Sequence, residues 1–152
     1  MPKEKIKWNE RRSVAINARL LLPRLVAGYF DEVRGFLAED REPEQLHSMR
    51  LAAKRLRYTL ELFRRCYGPA LEQRLDALKK LQDSLGDVND AVATGKLLGD
   101  SADEAVKAFL RARAAEKAAE FHTHWKEVFD APGREKWWTG YLQKNARPPR
   151  NR

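Results

Sequence analysis

The feature that most constrains the fold is a stripe of leucines, spaced three and four residues apart, between residues 71 and 85. Its members are Leu71, Leu75, Leu78, Leu81 and Leu85. This spacing places all of them on one face of an α-helix, where they can be buried together. The same rhythm recurs in residues 9–39, and no segment alternates apolar and polar residues as a β-strand does. The sequence therefore predicts an all-α protein, an antiparallel bundle of about five helices with a long helical hairpin.

Interruptions of the pattern predict where the first two helices end. The first helix covers about residues 9–39, and Pro23 is expected to kink or split it. The second covers about residues 43–67 and ends at Gly68 and Pro69, which form a strong stop signal.

Glycine and capping residues predict the boundaries of the later helices. The third helix is predicted over about residues 70–85, stopped by Gly86, and Asp87 is the expected N-cap of a short fourth helix that ends at Gly99. The pair Ser101 and Glu104 fits an S-x-x-E capping box, which predicts a fifth helix reaching about residue 129.

The positive charge of the chain is local. The 152 residues carry 30 Lys and Arg against 22 Asp and Glu, a net charge of +8. Residues 47–65 contribute +5 and residues 144–152 contribute +4, so the remainder carries −1. Such local excess points to an anionic partner. Residues 1–143 are predicted to form a single helical domain, and residues 144–152, which contain two prolines, a disordered tail.

A helical wheel of the second helix separates a core face from a neighbouring basic face. The basic face holds a row of side chains spanning about 15 Å, called the basic ladder below: His47, Arg50, Lys54 and Arg57. Like charges at this spacing repel, and an anion with repeated charges relieves the repulsion. Arginine suits this task because its planar fork donates two hydrogen bonds to a phosphate. Solvent-exposed basic faces are equally common, so the spacing alone leaves both interpretations open.

Two segments carry a family resemblance. The sequences LHSMRLAAKRLRYTLELF (Leu46–Phe63) and LKKLQDSLGDVNDAVAT (Leu78–Thr94) resemble the conserved histidine α-helical domain family, CHAD. They are most similar to the second of its two repeats, where His-x-x-Arg-x-x-x-Lys-Arg-x-Arg-Tyr precedes Leu-Gln-Asp-x-Leu-Gly-Asp-x-Asn-Asp. Family members are helical, have no known catalytic activity of their own and bind inorganic polyphosphate through a basic surface. The resemblance therefore implies a non-catalytic polyphosphate-binding module that uses no cofactor.

The resemblance also implies which residues form the site. Carried over by position, the polyphosphate-binding residues are His47, Arg50, Lys54, Arg55, Arg57, Lys79 and Lys80. Four others are expected to order the basic face rather than to contact phosphate: Tyr58, Gln82, Asn89 and Asp90.

The length departs from the family pattern. A usual member has two repeats related by an approximate two-fold axis, whereas this chain has room for one. Either the chain works as a half-site or two copies associate. We expect a homodimer, since a two-fold pair is the commonest way to duplicate a surface.

The compartment follows from features that are missing in the sequence. A single cysteine, Cys66, excludes an internal disulfide, the first twelve residues contain no hydrophobic signal segment, and no run approaches the roughly 20 apolar residues of a spanning helix. We expect a cytoplasmic protein without a membrane partner, and the resemblance adds polyphosphate granules as a location.

Two rival functions compete with polyphosphate binding. Bases flank an aromatic segment with Trp137, Trp138 and Tyr141, and this mixture can stack and hold single-stranded nucleic acid. We favour a hydrophobic plug closing the bundle, because adjacent tryptophans point in different directions on a helix. An enzyme, the less favoured rival, would use His47 as a phosphoacceptor or general acid.

Metal sites are not predicted. The segment 87–90 lacks the glycine and the glutamate of a calcium loop, and His122 and His124 are spaced too closely to share one metal.

Overall fold

The computed structural model describes residues 7–149 and consists there of helices and their connections, with no strand. The five α-helices are α1 (Val14–Leu37), α2 (His47–Glu61), α3 (Ala70–Leu98), α4 (Glu104–His124) and α5 (Arg134–Lys144). Three short 3-10 helices join them at Pro43–Leu46, Arg64–Cys66 and Gly99–Ser101, and a π-helical turn at Trp125–Phe129 extends α4. The all-α bundle is confirmed. None of these helices combines the length and hydropathy that a bilayer crossing requires.

Helix α1 begins later than predicted and passes Pro23 without splitting. Ser13 caps it, accepting a hydrogen bond from the backbone of Ile16. Leu22 and Val26 are buried on either side of the proline, and this packing holds both halves in one helix. Of the two expectations for Pro23, the split is therefore wrong, and α1 is one helix.

The predicted boundary at Gly86 is also wrong, because α3 continues to Leu98. Asp87 consequently lies inside a helix and is not an N-cap. Leu85 and Val88 are buried next to the glycine, so the leucine stripe continues across it. Burying each such side chain gives about 1.5–3 kcal/mol, more than the roughly 1 kcal/mol that a glycine costs within a helix.

Asp103, not Ser101, caps α4. The carboxylate of Asp103 accepts the backbone N–H of Val106 at 2.8 Å, whereas the hydroxyl of Ser101 donates to the carbonyl of Leu98. The predicted capping box is wrong, because it places the N-cap at Ser101, two residues before the observed cap, and Glu104 is the first residue of the helix. Helices α3 and α4 form the predicted long hairpin around this turn.

The aromatic segment forms α5 and closes the core. Trp138 and Leu142 are buried, and the Trp138 ring packs 5.7 Å from that of Phe129. The guanidinium carbon of Arg74 lies between Trp137 and Tyr141, 3.8 and 4.0 Å from their ring centroids. Helix α5 therefore acts as the plug favoured from the sequence.

The beginning of the predicted tail is packed against the bundle. Ala146 is completely buried, and its carbonyl accepts hydrogen bonds from the Arg19 guanidinium. The backbone N–H of Arg147 donates to the carbonyl of Cys66 at 2.7 Å. The expected disorder therefore does not hold at these residues, and positions 150–152 lie outside the described residues.

Candidate anion-binding surface

Helix α2 divides its side chains as the wheel predicts. Met49, Ala53, Leu56 and Leu60 are buried in the core. The ladder side chains Arg50, Lys54 and Arg57 are half-buried, and His47 is exposed. The core contacts of α2 thus fix the rotation of the helix and set the ladder along its boundary with α3.

His47 is held by α3. Its Nδ1 atom lies 3.1 Å from Oδ1 of Asn89. An amide oxygen can only accept, so Nδ1 carries the hydrogen, and Nε2 is the ring nitrogen left for a ligand. Asn89 therefore orders the first member of the ladder, as the resemblance implies.

Arg50 lies against the backbone of α3. A Cβ atom built on Gly86 would sit 3.9 Å from Nε of Arg50, a van der Waals contact. The Nε atom is buried and makes no hydrogen bond to a described residue. The sequence signal for this contact is the glycine of the second motif, for which local spacing predicts only a helix stop.

Arg57 and Lys54 continue the ladder along α2. Nε of Arg57 lies 3.5 Å from a carboxylate oxygen of Glu61, and its guanidinium carbon lies 5.0 Å from the ring centroid of Tyr58. Tyr58 therefore helps to order the ladder. Across residues 7–149, no carboxylate oxygen lies within 4.0 Å of a side-chain nitrogen of Arg50 or Lys54.

The two lysines of α3 lie on different faces. Lys79 is exposed and is seven residues from Gly86, which places it on the side of α3 that faces the ladder. Lys80 is turned by 100° and lies toward α4, where burial and, secondarily, the charge of Lys80 lower the pKa of His124. Helical geometry therefore places Lys79, and not Lys80, on the side of α3 that carries Gly86 and adjoins the ladder.

Arg55 is also separated from the ladder. One residue after Lys54, it is rotated to the other side of α2, where it lines a groove shared with α1. Arg55 is therefore not part of the ladder face, and its role in phosphate binding stays a prediction.

The remaining ordering residues differ in their contacts. Gln82 is half-buried, and its side-chain oxygen has no hydrogen-bond partner among the described residues. Asp90 is exposed, its carboxylate has no hydrogen bond or ion pair to a described residue, and its backbone carbonyl accepts a hydrogen bond from the Thr94 hydroxyl. Neither side chain holds the ladder in the way that Asn89 does.

The ladder belongs to a segment that matches a known family. A family model of the CHAD domain matches residues 7–99, which include α1, α2 and α3. The chain belongs to the CHAD family. Nothing matches it among curated proteins or among solved structures.

Helices α4 and α5 of this CHAD protein follow the matched segment, yet they complete the same core. Phe121, Trp125 and Trp138 are in one buried cluster with Phe30 of α1 and the leucines of α3. The ladder is thus supported by a core that extends well beyond residue 99.

The ladder side chains can bind phosphate groups. Guanidinium and ammonium groups form charge-assisted hydrogen bonds with phosphate oxygens, and the three cations Arg50, Lys54 and Arg57 follow one another along a single helix face. No cluster of three metal-binding side chains is found between residues 7 and 149. The surface therefore suits an extended anion.

Proposed function

We propose that this protein binds inorganic polyphosphate through the basic ladder and acts as a non-catalytic module. The observation that carries the proposal is the row of ladder side chains fixed against α3. His47 is held by Asn89, and Arg50 lies over Gly86. Within the described residues, Glu61, beside Arg57, is the one carboxylate with an oxygen within 4.0 Å of a ladder side-chain nitrogen.

The length of the ladder favours a polymeric anion. The row spans about 15 Å along α2, further than one phosphate reaches, so several phosphates of one chain would bind side by side. Each neutralised phosphate releases counterions, by analogy with nucleic acids, so binding should weaken steeply with salt. Lys79 extends the same face from α3.

Two expectations belong to this proposal. The protein works as a homodimer, which doubles the phosphate-binding surface, and it is located in the cytoplasm, at polyphosphate granules.

Single-stranded nucleic acid is the second choice, because Trp138 is buried and the Trp137 ring is covered by two guanidinium groups, those of Arg74 and Arg134, at 3.8 and 4.0 Å. Stacking platforms need open ring faces.

The test compares two charge reversals of equal size. Arg50→Glu with Arg57→Glu should weaken polyphosphate binding at least about 100-fold, since two charge-assisted contacts are lost. The salt slope should fall by about two. Arg111→Glu with Arg113→Glu, at two exposed positions of α4, changes the net charge equally and should have a much smaller effect.

Three controls complete the design. Circular dichroism verifies folding, and the milder Lys54→Gln should weaken binding without a new acid. Equal losses in the two double variants would contradict a specific ladder. Displacement of polyphosphate by excess single-stranded nucleic acid at moderate salt would favour the alternative function, and release of phosphate would contradict a non-catalytic role.

A further inference from the structure

A second surface lies on the other side of α2. Helices α1 and α2 enclose a groove of about 530 Å³. Leu25 of α1 and Leu51 of α2 form part of its walls and are 47% and 38% exposed. Exposed leucines that line one concave surface are typical of an interaction site.

A buried hydroxyl lines the same groove. Tyr29 is only 4% exposed, and its hydroxyl makes no hydrogen bond to a described residue. Burial and, secondarily, the charge of Glu32 raise the pKa of Tyr29, so the hydroxyl stays protonated and remains a donor. The hydroxyl itself is buried, so it belongs to the wall of the groove, and what the groove offers to a partner is apolar area.

The charges that line the groove have both signs. Arg24 and Arg55 are the cations and Glu32 is the anion, and within residues 7–149 none of them has an opposite charge within 4.0 Å. A patch with both signs and a shared apolar strip is self-complementary, which is what a two-fold contact requires. A two-fold axis that crosses the groove could place Arg55 of one copy opposite Glu32 of the second copy.

We infer that the groove between α1 and α2 is the surface through which two copies of this chain pair about a two-fold axis. This inference rests on the homodimer of the proposed function and is independent of the ligand. Arg55 is rotated 100° from Lys54, so pairing through the groove leaves both ladders open. It gives Arg55, which does not join the ladder, a role in the contact.

Light scattering after size exclusion tests the inference across micromolar concentrations. The wild type should have twice the chain mass of 17.6 kDa. Leu51→Glu, at an exposed groove position, should be monomeric. Leu97→Glu is the matched control, because Leu97 is 86% exposed at the end of α3 and outside the groove, and it should remain dimeric.

Polyphosphate binding, measured on the same samples, separates the two proposals. Leu51→Glu keeps the ladder and should bind each polyphosphate segment as the wild type does. A monomeric Leu51→Glu that still binds polyphosphate therefore supports the groove as the surface of pairing. A dimeric wild type that fails to bind polyphosphate would contradict polyphosphate as the ligand and leave the groove proposal intact.

A charge exchange distinguishes a second copy from another occupant. Arg55→Glu and Glu32→Arg should each weaken pairing at least about tenfold, and the double variant should restore it. Three results would each overturn the inference. The wild type could stay monomeric at 100-fold the expected working concentration, Leu51→Glu could remain dimeric, or the charge exchange could fail to restore pairing. Binding of a monomeric wild type to anionic lipid vesicles through Leu51 would assign the groove to a membrane surface instead.

Discussion

His47 and Asn89 are joined across the contact between α2 and α3, with Nδ1 of the histidine 3.1 Å from the amide oxygen. This hydrogen bond fixes the ring at the start of the ladder and directs its other nitrogen away from Asn89. The two residues are 42 positions apart in the sequence, so folding of both helices is required to form the pair.

Asn89→Ala should weaken polyphosphate binding about three- to tenfold. One hydrogen bond is worth about 0.5–1.5 kcal/mol, and without it the His47 ring must be ordered when the ligand binds. Isothermal titration measures the change. Asp90→Ala is the neighbouring control and should not weaken binding, because no described residue contacts that carboxylate. Equal weakening by both variants would contradict a specific role for Asn89.

Substitutions of Gly86 should change the stability of the protein and its affinity for polyphosphate independently. Gly86→Ala should raise the free energy of unfolding by about 0.5–1 kcal/mol, because alanine favours a helix interior. The added Cβ would meet Arg50 at an ordinary 3.9 Å, so affinity should be unchanged. Gly86→Leu should displace Arg50 and weaken polyphosphate binding several-fold. Urea denaturation and titration report the two effects, and a full-affinity leucine variant would contradict the placement of Arg50.

Arg74→Ala should destabilise the protein by about 3 kcal/mol. Arg74 is 4% exposed, and its guanidinium donates to the carbonyls of Trp137 and Ala70 while lying between two aromatic rings. Removing it leaves the Trp137 carbonyl without this donor and opens the contact between α3 and α5. Urea denaturation measures the loss. Arg113→Ala, at an exposed position, is the control and should stay within about 0.5 kcal/mol of the wild type.

The sequence was sufficient for the helical class and for most of the ladder. Helix α2 has a clear core stripe, and the ladder follows from the same wheel because helical geometry relates adjacent faces by fixed angles. Arg55 lies off the ladder although the family motif includes it, because residues adjacent in a helical motif differ by 100° around the axis. Lys79 and Lys80 are adjacent in the sequence and lie on different faces of α3 for the same reason.

Helix boundaries were less predictable from local signals. Gly86 and Pro23 normally interrupt helices, but here the buried residues on both sides of each maintain the helix. The contact of Arg50 with Gly86 and the hydrogen bond of His47 to Asn89 depend on how α2 and α3 pack. A single sequence does not contain that information, so only the family motif could indicate that these residues belong together.

His124 should make the stability of the protein decrease in mild acid. Burial and, secondarily, the charge of Lys80 lower the pKa of His124 below its ordinary value of 6.5. The unfolded chain therefore takes up a proton first, and the free energy of unfolding decreases as the pH falls from 6.5 to the lower folded-state pKa. His124→Gln should flatten this dependence in urea titrations. Lys80→Gln should raise the pKa of His124, followed by its ring proton resonances, whereas Lys79→Gln, on the other face of α3, should leave it unchanged. The opposite pattern for the two lysines would contradict the orientation of α3 and, with it, the assignment of Lys79 to the ladder.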